Sequence, residues 1–340
     1  NNTAGQGDFT ISAGATVISS ATGTTGSAVI GRSSNGTTGY AGTLTVAGTL
    51  ILGGASPTVA MNSVVLTGTV EYSGAGQTLL AATGGGTAPS SYTNLVTSGS
   101  GTKTLSSATS ISGAGSVVGA GTTLSTGAFT LTNNGTLLVN GTFQIAQGGW
   151  GGSTGTYNYA AAGVLQFSNT SGSYGVGSGD TWWPASPSNL NVNVAGAGGI
   201  TVNAAKTVPG VFQTAAGVTN GNNLTLNGTA QLNAGGFFSG SPTYGAGSTL
   251  KYSTGGTYGR GSEWASGASE PTNIQLSNNT TLNYPNGGGN FNHTISGNLT
   301  VDSGSALYMD FGSPGTGVGI LTVGGDFSMS GNVSLGNQPG

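Results

Sequence analysis

Apolar and polar residues alternate in short runs along the whole chain, and a glycine separates neighbouring runs. The first clear instance is Leu44-Thr-Val46-Ala-Gly48-Thr-Leu50-Ile-Leu52. A period of two puts Leu44, Val46, Leu50 and Leu52 on one face of two short strands, with Thr43 and Thr45 on the other. The pattern returns at residues 137–145, 224–232 and 321–329. A variant with one extra residue runs from Leu299 through Val301 and Gly304 to Leu307.

Each copy is followed by a related segment. Gly48 is followed by Gly68-Thr-Val70-Glu-Tyr72, and Gly141 by Gly163-Val-Leu165-Gln-Phe167. Gly228 is followed by Ser248-Thr-Leu250-Lys-Tyr252, and Leu299 by Leu321. The return distance is about 20–22 residues each time, at the short end of the periods that mark solenoids. A longer period sits above this one. Tyr72, Phe167 and Tyr252 recur in it, and so do the markers ending in Asn94-Leu95, Asn189-Leu190 and Asn273-Ile274. The two series agree on a unit of roughly 85–95 residues, and such self-similarity is the signature of a repeat architecture.

A strand pair that returns at the shorter period cannot bury its apolar side chains alone, and stacking successive coils gives it a partner above and below. The expectation is an all-β, parallel β-solenoid over residues 1–340, with long repeats at 44–136, 137–223 and 224–320 and partial copies at 1–43 and 321–340. At about 21 residues per coil and about 4.8 Å per rung, it would have roughly 16 coils and a length of about 77 Å. An array of β-sandwich modules is the competing architecture, but it gives no reason for the shorter period.

Composition sharpens this picture. Glycine takes 68 of 340 positions, and charged residues are 4% against about 25% in ordinary domains. Stacked outward positions bring like residues to strand spacing, where like charges repel. Thr, Ser and Asn avoid that cost, and glycine fits corners that need positive φ or close backbone approach. A net charge of −3 with five basic residues gives no electrostatic footprint for nucleic acid. No apolar run is long enough for a transmembrane helix, and zero cysteines exclude disulfides and thiolate metal sites. The ends, Asn1-Asn2-Thr3 and Asn337-Gln338-Pro339-Gly340, read as those of a mature or internal piece of a longer exported polypeptide.

From Leu250-Lys-Tyr252, through Arg260-Gly-Ser-Glu263-Trp264, Pro271-Thr-Asn273-Ile274 and Thr281-Leu282-Asn283-Tyr284, to Gly297-Asn298-Leu299-Thr300-Val301, the chain resembles repeats of very large secreted surface proteins of Bacteroidetes-type bacteria. The likeness covers residues 135–336 best. The resemblance implies export by a type IX route, an extracellular or cell-surface location, and an adhesive or structural role with no catalytic motif.

The chemistry-bearing residues are few. The acids are Asp8, Glu71, Asp180, Glu263, Glu270, Asp302, Asp310 and Asp326, and no two share a strand face by spacing. Coil stacking could bring Asp302 near Asp326. His293 is the single histidine, in a turn-to-strand segment without a nucleophile signature. The clusters Gly84-Gly85-Gly86 and Gly287-Gly288-Gly289 lack the lysine of a phosphate loop and read as turns. Asn140 and Asn227, within Asn-x-Thr sequons, read as turn residues tolerating left-handed backbone.

Trp150, Trp182, Trp183 and Trp264 stand in Gly/Ser-rich stretches longer than a corner needs. They are the candidate contacts for glycans or a partner; otherwise each loop folds back so that its ring covers the core. No catalytic, cofactor-binding or metal-ligating residue is expected. The functional expectation is a non-enzymatic surface adhesin stalk or filament subunit, with copies of itself, flanking domains or surface glycans as partners. A polysaccharide-binding or polysaccharide-degrading β-helix is the alternative. Ice binding would need a threonine ladder in every coil, and Thr43, Thr136 and Thr229 recur only in the long unit.

Overall fold

A computed structural model describes residues 7–19, 29–31, 42–83, 85–267, 269–285, 291–309 and 319–334. Asn35, Gly84, Gly287–Gly289 and Asp310 lie outside them. The chain divides into two compact units, residues 1–165 with 179–183, and residues 166–178 with 184–340. Both consist of short parallel strands stacked in coils, so the chain is a β-solenoid. Helix is confined to one 3-10 turn, Gly221–Asn223, among the described residues.

In the first unit, seven strands stack in chain order: Thr16–Ser19, Thr49–Leu52, Thr69–Tyr72, Asn94–Thr97, Ser116–Val118, Thr136–Val139 and Thr156–Tyr159. Their registers put Val17, Leu50, Val70, Leu95, Ser116, Leu137 and Tyr157 in one inward column. In the second unit the inward columns are Phe212, Ala230, Leu250, Ile274, Leu299 and Phe327, and Thr214, Leu232, Tyr252, Leu276, Val301 and Met329. Leu44, Val46, Leu50 and Leu52 are buried, as the alternation requires. Burying each such side chain contributes about 1.5–3 kcal/mol.

Gly48 and Gly68 occupy adjacent rungs: Thr49 pairs with Thr69, and Thr69 N donates to Gly48 O at 2.9 Å. A Cβ at Gly68 would overlap Gly48 O and the Ala47 carbonyl below it. Neither glycine has positive φ, so close rung-to-rung approach, not backbone handedness, is what requires glycine at this corner. The marker asparagines act at another corner. Asn94 Oδ1 accepts from Gly115 N and Asn273 Oδ1 from Asn298 N, tying one rung to the next. In the middle copy Asn191, just past the marker Asn189, does this for Val211 N. Among the described residues the left-handed asparagines are Asn220, Asn278 and Asn279, not Asn140 or Asn227.

Two expectations about spacing are corrected. Leu321 does not stack on Leu299. It pairs with His293, while Leu299 pairs with Phe327, further along the chain. The solenoid has about 13 turns instead of 16. Rungs differ in length: the step from Val211 to Thr229 is short, and those from Tyr174 to Ile200, from Leu299 to Phe327 and from Phe9 to Leu44 are longer.

Several polar groups inside the coils pair with one another. Tyr72 and Tyr92 share a hydroxyl–hydroxyl bond of 2.9 Å, and Leu80 N donates to Tyr72 Oη at 2.9 Å. Thr97 and Thr122 pair through their hydroxyls at 2.7 Å. These bonds offset the cost of burying the groups.

Candidate functional site

The tryptophan loops fold inward. Trp182, Trp183 and Trp264 are fully buried, whereas Trp150 is 41% exposed. In the first unit Tyr159 Oη donates to Trp182 O at 2.6 Å and Thr181 Oγ1 to Thr154 O at 2.8 Å. Trp182 also packs where a Cβ of Gly151 would stand. In the second unit Tyr244 Oη donates to Glu263 O at 2.7 Å. A buried tyrosine thus pins each loop by a backbone carbonyl. The buried rings have no solvent-exposed face on which a sugar could stack, although Trp264 borders a concavity in the second unit, and Trp150 is the exposed member of the four.

The loop between Thr257–Gly259 and Asn273–Leu276 carries the chemistry. The strand Phe291–Ile295 packs against it, and together they gather Arg260, Glu263, Glu270 and His293. Glu263 is buried. Its Oε1 accepts from Tyr252 Oη at 2.9 Å and Gly261 N at 2.8 Å, and its Oε2 faces Tyr258 Oη at 3.5 Å. Burial pushes its carboxyl above the ordinary value of 4.5, partly opposed by these bonds and by Arg260. Burial first, and the Glu263 charge second, hold the hydroxyls of Tyr244, Tyr252 and Tyr258 in their protonated, donating form.

Glu270 closes the other side. Its Oε2 accepts from Thr294 N at 2.8 Å, Trp264 Nε1 at 3.3 Å and His293 Nδ1 at 3.2 Å, and its Oε1 accepts from Gly267 N at 3.0 Å. Burial, then Arg260, lowers the His293 pKa below 6.5, while Glu270 opposes the shift. The neutral ring is therefore favoured, and the network assigns its proton to Nδ1. The ring lies 5.0 Å from Trp264 and 5.6 Å from Tyr284, centroid to centroid. Arg260 donates from Nε to Tyr284 O at 2.9 Å and from Nη1 to Trp264 O at 2.7 Å. Its guanidinium stands 4.6 Å over Phe291, a cation–π contact worth about 0.5–2 kcal/mol. Burial pushes the Tyr284 hydroxyl up to about 12.

Beside this network lies a concavity of about 590 Å³ whose lining includes the network's own Arg260, Trp264 and His293 together with Ser266, Phe291 and Asn292. Its volume falls within the range of small-ligand sites, about 300–1,000 Å³. Glu263 and Glu270 do not line it.

Asp302 and Asp326 are not brought together. Asp302 lies past Val301, which pairs with Met329, whereas Asp326 N bonds Asn298 Oδ1 at the opposite end of the strand. Asp302 instead accepts from Gln275 Nε2 at 2.9 Å. Among the described residues no group of three His, Cys, Asp or Glu could hold a metal ion, and no helix is long and apolar enough to cross a membrane. The Arg260–Glu263–Glu270–His293 cluster was not anticipated from sequence. The available signal was the coil step, since His293 follows Glu270, and Tyr284 follows Arg260, by about one turn of the solenoid. Comparison with protein-family models, curated proteins and solved structures finds no match for this chain.

Proposed function

We propose that this chain is a non-enzymatic structural or adhesive element of an extracellular bacterial surface, a stalk segment or filament subunit. The observation that carries this reading is the stacked-coil ladder. Its inward columns are mostly apolar, with a few buried hydroxyls such as Ser116 and Thr214, and the outward positions are mostly neutral: Asn193, Gln213 and Gln231 stack on successive rungs, followed by Lys251 and then Gln275. The two acids of the ionisable cluster spend their acceptor positions on protein donors, which suits a loop clamp better than a general acid or base that must exchange protons with a substrate.

Coil-on-coil continuation follows from the last described rungs. Phe327 and Met329 sit in register over buried Leu299 and Val301, yet are 51% and 52% exposed. A further coil, from this chain or from another copy, would cover them. Electron microscopy of the purified protein across a concentration series tests the filament version: end-to-end strings support it, and short monodisperse particles at every concentration remove it. A reducing-end assay on a glycan panel tests the non-enzymatic part, and turnover abolished by Glu263→Gln overturns it.

A further inference from the structure

The second unit concentrates charge where the fold does not require it. The whole chain has five Lys and Arg, eight Asp and Glu, and one His. Arg260, Glu263, Glu270 and that single histidine meet in one network, and Arg260 and His293 line the concavity beside it. The preceding long repeat carries the matching loop on a different residue set. Where Glu270-Pro271 stands it has Ser186-Pro187, and with the tyrosine-bonded Trp182 set against Glu263, and Trp183 against Trp264, it has Gly179 at the place of Arg260. Its tryptophans are nonetheless fully buried. Folding a tryptophan loop onto the coils therefore does not call for Arg260, Glu270 and His293.

The groups facing the concavity indicate what it would hold. Both acids point away from it, Glu263 into the tyrosines and Glu270 onto Trp264 and Thr294. The charged side chain that lines it is Arg260, with its guanidinium plane fixed by two carbonyls and by the Phe291 ring. A guanidinium held in one plane favours a carboxylate partner. The remaining wall offers the Ser262 and Ser266 hydroxyls, the Asn292 amide and the half-buried Phe291 ring. Neutral donors and acceptors beside one apolar ring suit a sugar, with hydroxyls on its rim and C–H groups on its face.

We propose that the cleft bounded by Arg260, Ser262, Ser266, Phe291 and Asn292 binds a carboxylate-bearing saccharide, with Arg260 on the carboxylate and Phe291 under the ring. His293, through its bond to Glu270, fixes the loop that forms the wall and is a positioning residue. The inference deepens the adhesive reading and rests on it for biological use, though not for the binding itself.

The test is calorimetric titration of the full chain with trigalacturonate, with its neutral counterpart galactotriose, and with a short peptide ending in a free carboxylate. Saturable binding of trigalacturonate, at least tenfold tighter than galactotriose, is expected. Arg260→Gln should weaken it roughly tenfold or more, since charge-assisted hydrogen bonds are lost. Arg260 also anchors the loop, so two exposed positions carry the test if that variant misfolds. Ser266→Phe fills the cleft and should abolish binding, and Asn292→Ala should weaken it, both with an unchanged circular dichroism spectrum. Equal binding of the neutral sugar, tighter binding of the peptide, no binding of trigalacturonate, or binding indifferent to Ser266→Phe would each overturn the proposal. None of these results bears on filament formation by electron microscopy, so the two readings can fail separately.

Discussion

Replacing Glu263 by alanine and by glutamine should give opposite results. In Glu263→Ala, Tyr252 Oη, Gly261 N and Tyr258 Oη lose their acceptor inside the fold. A buried donor left unsatisfied costs about 1–3 kcal/mol. Tyr252 and Gly261 bond at 2.9 and 2.8 Å, while Tyr258 is at the limit of bonding at 3.5 Å. Two full losses and a weak third give about 3–5 kcal/mol of destabilisation. In Glu263→Gln, the amide oxygen keeps the Tyr252 and Gly261 bonds, and the amide nitrogen donates to Tyr258 Oη in place of the weak bond. The variant also removes a charge that burial disfavours. The raised pKa fixes the pH dependence. The folded state holds the Glu263 proton more tightly than the unfolded state, so the contribution of this group is greatest below 4.5 and falls as pH rises through the folded pKa. The glutamine variant should therefore gain on the wild type as pH rises from 4 to 8. Denaturant unfolding of the three proteins at several pH values, followed by tryptophan fluorescence, measures this. If glutamine destabilises as much as alanine at pH 7, or alanine costs less than about 0.5 kcal/mol, the account of this buried carboxyl is wrong.

His293 has a lowered pKa, so its contribution to stability is complete above 6.5 and is lost as pH falls through the folded pKa; His293→Gln should flatten that part of the stability–pH curve. Gly68→Ala forces a methyl against Gly48 O and the Ala47 carbonyl and should cost roughly 1–3 kcal/mol or more, read as a fall in melting temperature. Tyr72→Phe removes the bond from Leu80 N and the pair with Tyr92 and should cost about 1–3 kcal/mol in denaturant titration. Iodide should quench Trp150, at 41% exposure, and spare the three fully buried indoles; Trp150→Phe should abolish most of the quenchable emission.

The coil step from Gly48 to Gly68 could be read from sequence because the strand pattern, the glycine and the spacing agree, and the pairing of Thr49 with Thr69 follows. At Leu299 the same reasoning points to Leu321, although a second segment fits the pattern equally well. Leu321-Thr-Val323 and Phe327-Ser-Met329 both alternate correctly, so local pattern alone gives either register. The choice falls to the strand Phe291–Ile295, which pairs along its length with Gly319–Val323 and leaves Phe327 for Leu299. The ionisable cluster was hidden for another reason. Catalysis by paired carboxylates sets acid beside acid, whereas here each acid meets a different residue type. His293 meets Glu270 by the same kind of step that sets Gly68 over Gly48. The fold-back of the tryptophan loops was legible and holds for Trp182, Trp183 and Trp264, but not for Trp150; what the pattern did not give is that Tyr159 and Tyr244 reach across from other strands to pin those loops.

The register between rungs also sets how such a chain can change length over generations. Thr49 through Leu52 lie directly against Thr69 through Tyr72, so excising the stretch from Gly48 to Thr67 would offer Gly68 to the position that Gly48 vacated. A cut one position shorter or longer would turn Val70 and Tyr72 outward. Insertions and deletions should therefore survive as whole turns or as bulges at loop corners. The unequal steps from Val211 to Thr229 and from Leu299 to Phe327 are what repeated events of the second kind would leave behind.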